Sequence, residues 1–517
     1  MSKGGGAYAS VLDKFLECLR QHSNTNHPVS KAIHTLTTNN TLFRSTLETY
    51  ISNRRFSTPT TPKPLAIITA MHESHVQATV LCAKSHGLQL RIRSGGHDYD
   101  GLSYVSHVPF VILDMFKLRS IEVDMAGETA WVQAGATTGE LYYKIANLSK
   151  VHAFPAGVCT TLGTGGHFSG GGYGNLMRKY GLSVDHIVDA QIVDARGRIL
   201  NRTGMGEDLF WAIRGGGGAS FGVILSWKIK LVRVPPTVTV FQVDRTVDAA
   251  GATDLAYRWQ QVATEVDKEL FIRLVVQKAV NATTSQKTIK ITLVGMFLGR
   301  SRALLPLLEN SFPELGLQDK DCIEMSWAES VIFWYELPLG TPVDVLLDRP
   351  KGPAISYEIK SDYVKQTISK DALENIWKML IKYEPIHMKW NPFGGKMSEV
   401  PSNATPFPRR AGYLFLIQYY VDWKEEGSKA SDHYLSLTRK MYEGMTPYVS
   451  KNPREAFLNY RDVDIGSNLS NQTSFREGIV YGTKYFKDNF PRLVQVKARV
   501  DPDNFFNYEQ SIPLRTF

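Results

Sequence analysis

The sequence lacks any run of about 18 consecutive apolar residues, the length needed to cross a bilayer. The opening residues MSKGGGAYAS also lack the apolar core of a secretory signal peptide, although a chain whose leader had been removed would begin in the same way. No internal repeat and no low-complexity tract is present. The sequence therefore predicts a globular protein without a membrane partner.

Clustered positive charge is also absent. The formal net charge is +9, but the lysines and arginines are scattered, with no block of five and no basic stripe interleaved with aromatics. A nucleic-acid-binding surface requires such clustering, so we expect no nucleic-acid partner. The length of 517 residues exceeds one ordinary core and predicts two lobes. A small-molecule substrate and a monomer are also expected.

Cysteine is scarce, with 4 residues in the chain: Cys18, Cys82, Cys159 and Cys322. No pair has the spacing of zinc ligands, so no metal site is predicted. Cys18 and Cys82 lie on two early amphipathic segments and could pair with each other. The alternative is a set of reduced thiols in a reducing compartment.

Asn-x-Ser/Thr sequons, in contrast, are more frequent than chance favours: Asn39, Asn147, Asn201, Asn281, Asn403, Asn468 and Asn471. Their excess predicts a glycoprotein of the secretory pathway, located outside the cell or in the vacuole. A disulfide would fit the same oxidising compartment.

Short apolar runs alternate with helical patterns in the first part of the chain, which predicts an α+β fold. After Val234-Pro-Pro-Thr the runs at 237–243, 270–277 and 288–297 alternate in hydrophobicity, as in an antiparallel sheet with one covered face. Helical stretches follow, and the texture changes again at Arg454. The predicted ranges are 1–233 for the first part of one domain, 234–453 for a second domain, and 454–517 for a C-terminal part.

Three glycine clusters precede residue 234: Arg93-Ser-Gly-Gly-His, Gly163-Thr-Gly-Gly-His-Phe-Ser-Gly-Gly-Gly, and Arg214-Gly-Gly-Gly-Gly. Glycine allows backbone N–H groups to crowd around a phosphate, so a ligand with a pyrophosphate is expected. None of the clusters is a clean G-x-G-x-x-G between a strand and a helix, which argues against a Rossmann domain. The alternative for each cluster is a set of tight turns.

Two residues with reactive side chains adjoin these clusters. His97 follows two glycines and either approaches a ligand or caps a turn. Cys159, in Pro155-Ala-Gly-Val-Cys, is either a nucleophile or a small buried apolar residue.

Four segments of the chain carry a specific resemblance: Arg93-Ser-Gly-Gly-His-Asp-Tyr-Asp-Gly-Leu-Ser-Tyr, Pro155-Ala-Gly-Val-Cys, Gly165-Gly-His-Phe-Ser-Gly-Gly-Gly-Tyr-Gly and Asp501-Pro-Asp-Asn-Phe-Phe-Asn-Tyr-Glu-Gln-Ser-Ile-Pro. Together they resemble the plant berberine bridge enzyme-like family. The resemblance extends over nearly the whole chain. It implies a vanillyl-alcohol-oxidase-type fold, in which both chain ends build a PCMH-type FAD-binding domain. A central substrate domain, with an antiparallel sheet covered by helices, roofs the flavin.

The resemblance also implies bicovalent FAD, bonded by His97 at the flavin 8α-methyl and by Cys159 at C6. His167 corresponds to a residue near the N1–C2 edge of the flavin. The remaining cofactor-binding residues that we expect are Arg93, Ser94, Gly95, Gly96, Leu162, Gly163, Gly166, Gly222 and Asn504. The family pairs the cysteines matching Cys18 and Cys82, which leaves Cys322 free.

For catalysis the resemblance points to Tyr485 as the base or its partner, with Tyr173 and Gln418 in the pocket. Three departures from the family pattern stand out. Leu416 occupies a position where alcohol-oxidising relatives have a lysine. Leu162 stands where a leucine hinders access of oxygen to the flavin. Arg409 replaces a common histidine and could place a bidentate donor at the pocket rim.

These residues predict hydride transfer to flavin N5 from a plant specialised metabolite, such as a phenol, a prenylated phenol, or an allylic or benzylic alcohol. An oxidative ring closure could follow. A non-redox cyclase of the Diels–Alder type, with Arg409 activating a carbonyl, is the first alternative. A carbohydrate oxidase, or an allergen-like protein without a substrate, are the others.

Overall fold

The computed structural model describes residues 4–37, 39–247, 251–281, 284–349, 355–468 and 474–515. Its strands are β1 Ile33–His34, β2 Ile67–Thr69, β3 Gln89–Arg93, β4 Phe110–Asp114, β5 Ile121–Asp124, β6 Thr129–Gln133, β7 His152–Ala153, β8 Ile187–Val193, β9 Ile199–Leu200, β10 Val223–Lys230, β11 Val232–Arg233, β12 Val238–Thr246, β13 Leu270–Val280, β14 Lys287–Phe297, β15 Cys322–Met325, β16 Ser356–Val364, β17 His387–Pro392 and β18 Phe415–Trp423.

Helices alternate with these strands and confirm the α+β class. They are α1 Gly4–Gln21, α2 Asn40–Thr49, α3 Glu73–Ser85, α4 Thr138–Leu148, α5 Thr164–Ser169, α6 Met177–Tyr180, α7 Arg202–Ile213, α8 Ala252–Val262, α9 Ser301–Ser311, α10 Trp327–Trp334, α11 Lys370–Lys382, α12 Lys396–Glu399, α13 Ser428–Gly444, α14 Phe475–Phe486 and α15 Phe490–Val500.

Two sheets built from the first part of the chain carry the glycine loops. A four-stranded sheet has the order β1-β2-β4-β3, in which β2, β4 and β3 are parallel, and a five-stranded antiparallel sheet has the order β5-β6-β10-β8-β9. The β3 strand ends at Arg93, so the loop that carries His97 leaves from a buried strand end. A capping box between Thr137 and Glu140 starts α4 directly after β6.

The second half of the chain forms a seven-stranded antiparallel sheet with the order β15-β12-β14-β13-β17-β18-β16. One face packs on α8, α11 and α13 around a core that includes Trp259, Trp377 and Met441. This confirms the predicted antiparallel sheet covered by helices. The sequence did not predict the strands β16, β17 and β18. The face of β17 and β18 that points away from these helices is the one that meets the candidate site.

The C-terminal part returns to the first two sheets. Helix α15 packs against α7, and Lys497 donates to the carbonyl of Ser220 at 2.8 Å. Glu509 forms an ion pair of 2.7 Å with Arg91 on β3. The limits 1–233, 234–453 and 454–517 remain predictions, and the chain leaves the N-terminal sheets for the seven-stranded sheet between Arg233 and Val238.

Arg178, on the short helix α6, joins the two halves. Its guanidinium donates to the carbonyls of Thr264, Val266, Asp267 and Phe393 at 2.7 to 3.1 Å, and also to the carbonyl of Leu270. The side chain is 1% exposed, and burial lowers its pKa to about 10. A single cation therefore satisfies carbonyls at the start of β13, in the loop before it and just after the end of β17.

Covalent and surface features agree with several expectations. A disulfide joins Cys18 and Cys82, as predicted. Asn468 is buried and donates to the Tyr481 hydroxyl at 2.7 Å, so it offers no open glycan acceptor. Asn471 lies outside the described residues, whereas exposed sequon side chains are found at Asn39, Asn147, Asn201 and Asn403. Among the described helices, none is both long and apolar enough to span a membrane.

Replacing Arg178 with methionine should strongly destabilise the contact between the two halves. We expect the free energy of unfolding to fall by at least about 3 kcal/mol, because several buried carbonyls lose their donor. Urea denaturation followed by tryptophan fluorescence measures this loss. Arg302→Met, at an exposed position of α9, is the matched control; equal midpoints for the two variants would contradict the assigned role.

Candidate functional site

A cavity of about 750 Å³ lies between the glycine loops and the seven-stranded sheet. Its volume is that of a site for a cofactor or a drug-sized ligand. The cavity collects the following predicted residues along its walls: Ser94, Gly95, Gly96, His97, Cys159, Leu162, Gly163, Gly166, His167, Tyr173, Gly222 and Gln418. Residues predicted from separate segments thus share one site.

Two glycine loops form the floor of this cavity by touching each other. A Cβ added at Gly95 would lie 2.3 Å from the nitrogen of Gly163, and one at Gly163 would lie 2.2 Å from the nitrogen of Gly95. Gly96 has φ +68°, and a Cβ there would lie 1.8 Å from the Tyr50 carbonyl oxygen. Only glycine therefore permits the two loops to meet at these positions.

The backbone of the first loop leaves donors free. The N–H groups of Gly95, Gly96 and His97 donate to no acceptor in the described part of the chain, although all three residues line the cavity. Buried N–H groups rarely stay without a partner, and clustered ones suit anionic oxygens. The donor set therefore fits the pyrophosphate of a dinucleotide such as FAD.

His97 and Cys159 meet across one threonine. The Thr161 hydroxyl lies 2.9 Å from His97 Nε2 and 3.5 Å from Cys159 Sγ. Burial lowers the pKa of His97 to about 4 and raises the pKa of the Cys159 thiol. At neutral pH the imidazole therefore keeps a free lone pair, as a nucleophile toward a flavin methyl group requires.

His167 lies on α5 and is also neutral. Its Nε2 accepts the N–H of Gly157 at 2.9 Å, which leaves the proton on Nδ1. Burial, with a smaller effect of His97, lowers its pKa to about 3. The residue is thus a neutral donor at the cavity wall.

The hydroxyls of Tyr173 and Tyr460 are joined by a short hydrogen bond, and both residues line the cavity. Burial raises the pKa of each phenol, while Arg273 opposes the increase in both. The ring of Tyr99 packs against that of Tyr460 with centroids 5.7 Å apart. This pair of phenols is the site's candidate for moving a proton.

Tyr485, predicted as the catalytic base or its partner, does not line the cavity. It is 1% exposed; its hydroxyl accepts the N–H of Asp462 at 3.1 Å and donates to Gln510 at 3.0 Å. The hydroxyl is satisfied inside the C-terminal core. Tyr460, in Phe457-Leu-Asn-Tyr-Arg-Asp, was missed because no local pattern separates it from the other C-terminal tyrosines.

Two predicted arginines also turn away from the cavity. Arg409 is buried, donates to Glu455 at 3.0 Å and to the carbonyls of Lys484 and Tyr485, and is therefore not a donor at the pocket rim. Arg93 donates through Nε to Asp114 at 3.1 Å, so its side chain is not a pyrophosphate ligand.

Asn504 does not line the cavity either; the neighbouring residues Phe506, Asn507 and Tyr508 do. Its own φ is +52°, and its backbone oxygen accepts the side chain of Asn507 at 2.7 Å. Asn504 therefore shapes the C-terminal turn that brings its neighbours to the site.

The roof of the cavity comes from the seven-stranded sheet. Gln418 on β18 lies directly opposite Lys389 on β17, and both line the cavity together with Arg273 on β13. Leu416 lies two residues before Gln418 on the same face and is buried. The sequence predicted Gln418 but neither cation. Lys389 lies on β17, which had not been identified, and Arg273 lies in the predicted run 270–277, whose pattern did not show which side chains meet the cavity.

Comparison with known proteins identifies the family. An FAD binding domain model matches residues 64–203, and a model described as berberine and berberine like matches 456–513. Berberine bridge enzyme-like 4 of Arabidopsis thaliana is 55% identical over 501 residues, covering 96% of this chain and 94% of its own.

Solved structures agree. Berberine bridge enzyme-like #28 from Arabidopsis thaliana has a TM-score of 0.90 and 46% identity, covering 98% of this chain and 100% of its own. The grass pollen allergen Phl p 4.0202, a glucose dehydrogenase, has a TM-score of 0.91 and 42% identity, with coverage of 97% and 100%. An isoleucine-to-valine variant of Phl p 4 is a glucose oxidase. The chain therefore belongs to the berberine bridge enzyme-like family of FAD-binding oxidoreductases.

Proposed function

We propose that this protein carries FAD bonded to both His97 and Cys159 and oxidises a small organic substrate, passing the electrons to an acceptor other than oxygen. The observation that carries the proposal is the placement of His97 and Cys159 at one wall of the cavity that also holds the Tyr173–Tyr460 pair. When bound, the flavin supplies the hydride acceptor. Orientation, proton transfer and exclusion of oxygen fall to the protein.

His97 and Cys159 suit attachment because they lie close together and because the imidazole of His97 is neutral, and so nucleophilic, at rest. Thr161 contacts both side chains and fixes their orientation. The glycine loop beside them offers its N–H groups to the pyrophosphate. These contacts would hold the cofactor along the floor and leave the space beneath the sheet for the substrate.

Tyr460 is the proposed base and Tyr173 its partner. Both phenols are neutral at rest, because burial raises the pKa of each. To act as the base, Tyr460 first releases its own proton to solvent, and a hydrogen bond from the Tyr173 hydroxyl stabilises the phenolate. The phenolate then accepts the substrate proton and returns to the neutral phenol. Arg273 favours the phenolate form through its positive charge.

Leu162 supports the choice of electron acceptor. It lines the cavity and lies close to Gly157, where an added Cβ would meet its Cδ1 at 2.9 Å. In the relative Phl p 4, one isoleucine-to-valine change accompanies glucose oxidase activity, whereas the wild type is a glucose dehydrogenase. We therefore propose that leucine at 162 limits the use of oxygen here.

We propose that the substrate is a phenol, a prenylated phenol, or an allylic or benzylic alcohol, and that it carries an aromatic group. Tyr99, Tyr357 and Tyr420 line the cavity, and their rings suit contact with a flat apolar group. The non-redox cyclase loses its main residue-based support, because Arg409 is buried against Glu455. A carbohydrate is the second candidate, favoured by the likeness to a glucose dehydrogenase.

The disulfide and the exposed sequons support a proposed location in the secretory pathway, with the mature glycoprotein outside the cell or in the vacuole.

Single replacements His97→Ala and Cys159→Ala should each leave the flavin attached through the other residue, and the double variant should release all flavin on denaturation. Acid precipitation followed by the absorbance of pellet and supernatant, with intact-protein mass, measures attachment. Cys322→Ala is the matched control, since Cys322 lies on β15 outside the cavity. A colourless wild-type pellet would exclude the proposed attachment.

Tyr460→Phe should slow anaerobic reduction of the flavin by about 100-fold, a typical loss on removing a general base. Tyr485→Phe removes a phenolic hydroxyl that lies outside the cavity, and it should change the rate of flavin reduction by less than about threefold. Stopped-flow absorbance with a reducing substrate compares the two. The reverse ranking would assign the base to Tyr485 after all.

Leu162→Val should accelerate reoxidation of the reduced enzyme by oxygen about tenfold or more, an energy change of roughly 1.4 kcal/mol in the barrier. The smaller side chain opens space beside the cofactor, while the reductive half-reaction should keep its rate and serves as the internal control. Mixing reduced enzyme with aerated buffer measures the effect. Unchanged reoxidation would remove Leu162 as the barrier.

A further inference from the structure

The roof of the cavity presents two cations without an anionic partner. Neither Arg273 nor Lys389 has a carboxylate within 4.0 Å among the described residues. Most other buried cations in the described chain are paired, as Lys360 is with Asp462 at 2.8 Å. Buried positive charge is costly unless a ligand or a partner balances it.

The guanidinium of Arg273 is held through its Nε, and its two terminal nitrogens stay available. Its Nε donates to Asn391 at 2.7 Å, and its guanidinium carbon lies 5.0 Å from the Trp334 ring centroid. The side chain is 8% exposed and lines the cavity. The terminal Nη1 and Nη2 groups have no acceptor in the described chain, so two parallel donors remain available.

Lys389 lies on the same face as Arg273. Arg273 on β13 is in register with Asn391, two residues after Lys389 on β17, so the two cations are diagonal neighbours. Burial and Arg273 both lower the pKa of Lys389, and the exposed Glu336 opposes this. Asn391 occupies only the Nε of Arg273, and Gln418, opposite Lys389, is uncharged.

We propose that Arg273 and Lys389 form a receptor for a carboxylate carried by the substrate, a specificity that rests on the proposed function of the same cavity. The planar fork of Arg273 matches the two oxygens of a carboxylate, and Lys389 adds a point charge. The receptor lies in the roof, opposite the loop whose N–H groups suit a pyrophosphate. The substrate class is therefore an aromatic or allylic acid, with its reacting group near Tyr460.

The experiment titrates the flavin-loaded protein with trans-cinnamate and with methyl trans-cinnamate, two probes that differ in charge and lack an oxidisable hydroxyl. Binding is measured from the perturbation of the flavin absorption spectrum. The acid should bind about tenfold or more tightly than the ester, as expected for charge-assisted hydrogen bonds.

Lys389→Met and Arg273→Met should each weaken cinnamate binding about tenfold or more and leave the ester within about threefold. Lys290→Met is the matched control: Lys290 lies on β14, outside the cavity, 3.6 Å from Asp244. It should retain the preference of the wild type for the acid.

Equal affinity for acid and ester in the wild type would overturn the receptor. Equal weakening of both probes in Lys389→Met and Arg273→Met would also overturn it. A third contrary result is a changed flavin reduction potential in these variants with an unchanged preference for the acid, because the two cations would then act on the cofactor. If the preference holds but no substrate reduces the flavin, the receptor stands and the proposed oxidoreductase activity fails. If alcohols reduce the flavin but cinnamate and its methyl ester bind the wild type equally, the activity stands and the receptor fails.

Discussion

The contact between the loops at Gly95 and Gly163 is the constraint on which the site depends. Each glycine lies so close to the backbone of the other that a single added carbon would force the loops apart. Their contact places Thr161 between His97 and Cys159, although the latter two are far apart in sequence. The same geometry leaves backbone donors of the first loop unused. Packing thus brings the two candidate attachment residues and the free backbone donors to the same part of the floor.

The second constraint is the position of the seven-stranded sheet over that floor. Its far face is sealed by a tryptophan-rich core, so β13, β17 and β18 form a rigid roof. Arg178 ties this roof to the glycine-rich part through backbone carbonyls rather than through a carboxylate. Because one buried guanidinium satisfies several carbonyls, the separation between floor and roof has little freedom.

The sequence was most informative where chemistry is local. Short motifs, or a family resemblance carried by those motifs, predicted the glycine clusters, the flanking residues His97 and Cys159, and the pairing of Cys18 with Cys82. The parts that it missed depend on tertiary contacts. Arg273 and Lys389 face the cavity only because of strand register, and β17 gave no clear alternating pattern of its own. Tyr485 and Tyr460 both lie in the C-terminal part, and only packing decides which hydroxyl reaches the cavity.

Register also changes the meaning of Leu416. A leucine there suggested that the phenolic base lacks the positive charge that a lysine on β18 would provide. The neighbouring strand, however, places Lys389 directly opposite Gln418 on the same face. The positive charge that favours phenolate at both tyrosines is that of Arg273 on β13, and Lys389 adds a second cation to the same cavity. Since His97 and His167 are neutral at ordinary pH, they add no positive charge beside the phenol pair, and Arg273 is the cation that favours its phenolate form. A positive charge at that place draws an acid toward the base and stabilises the anion that proton removal leaves behind.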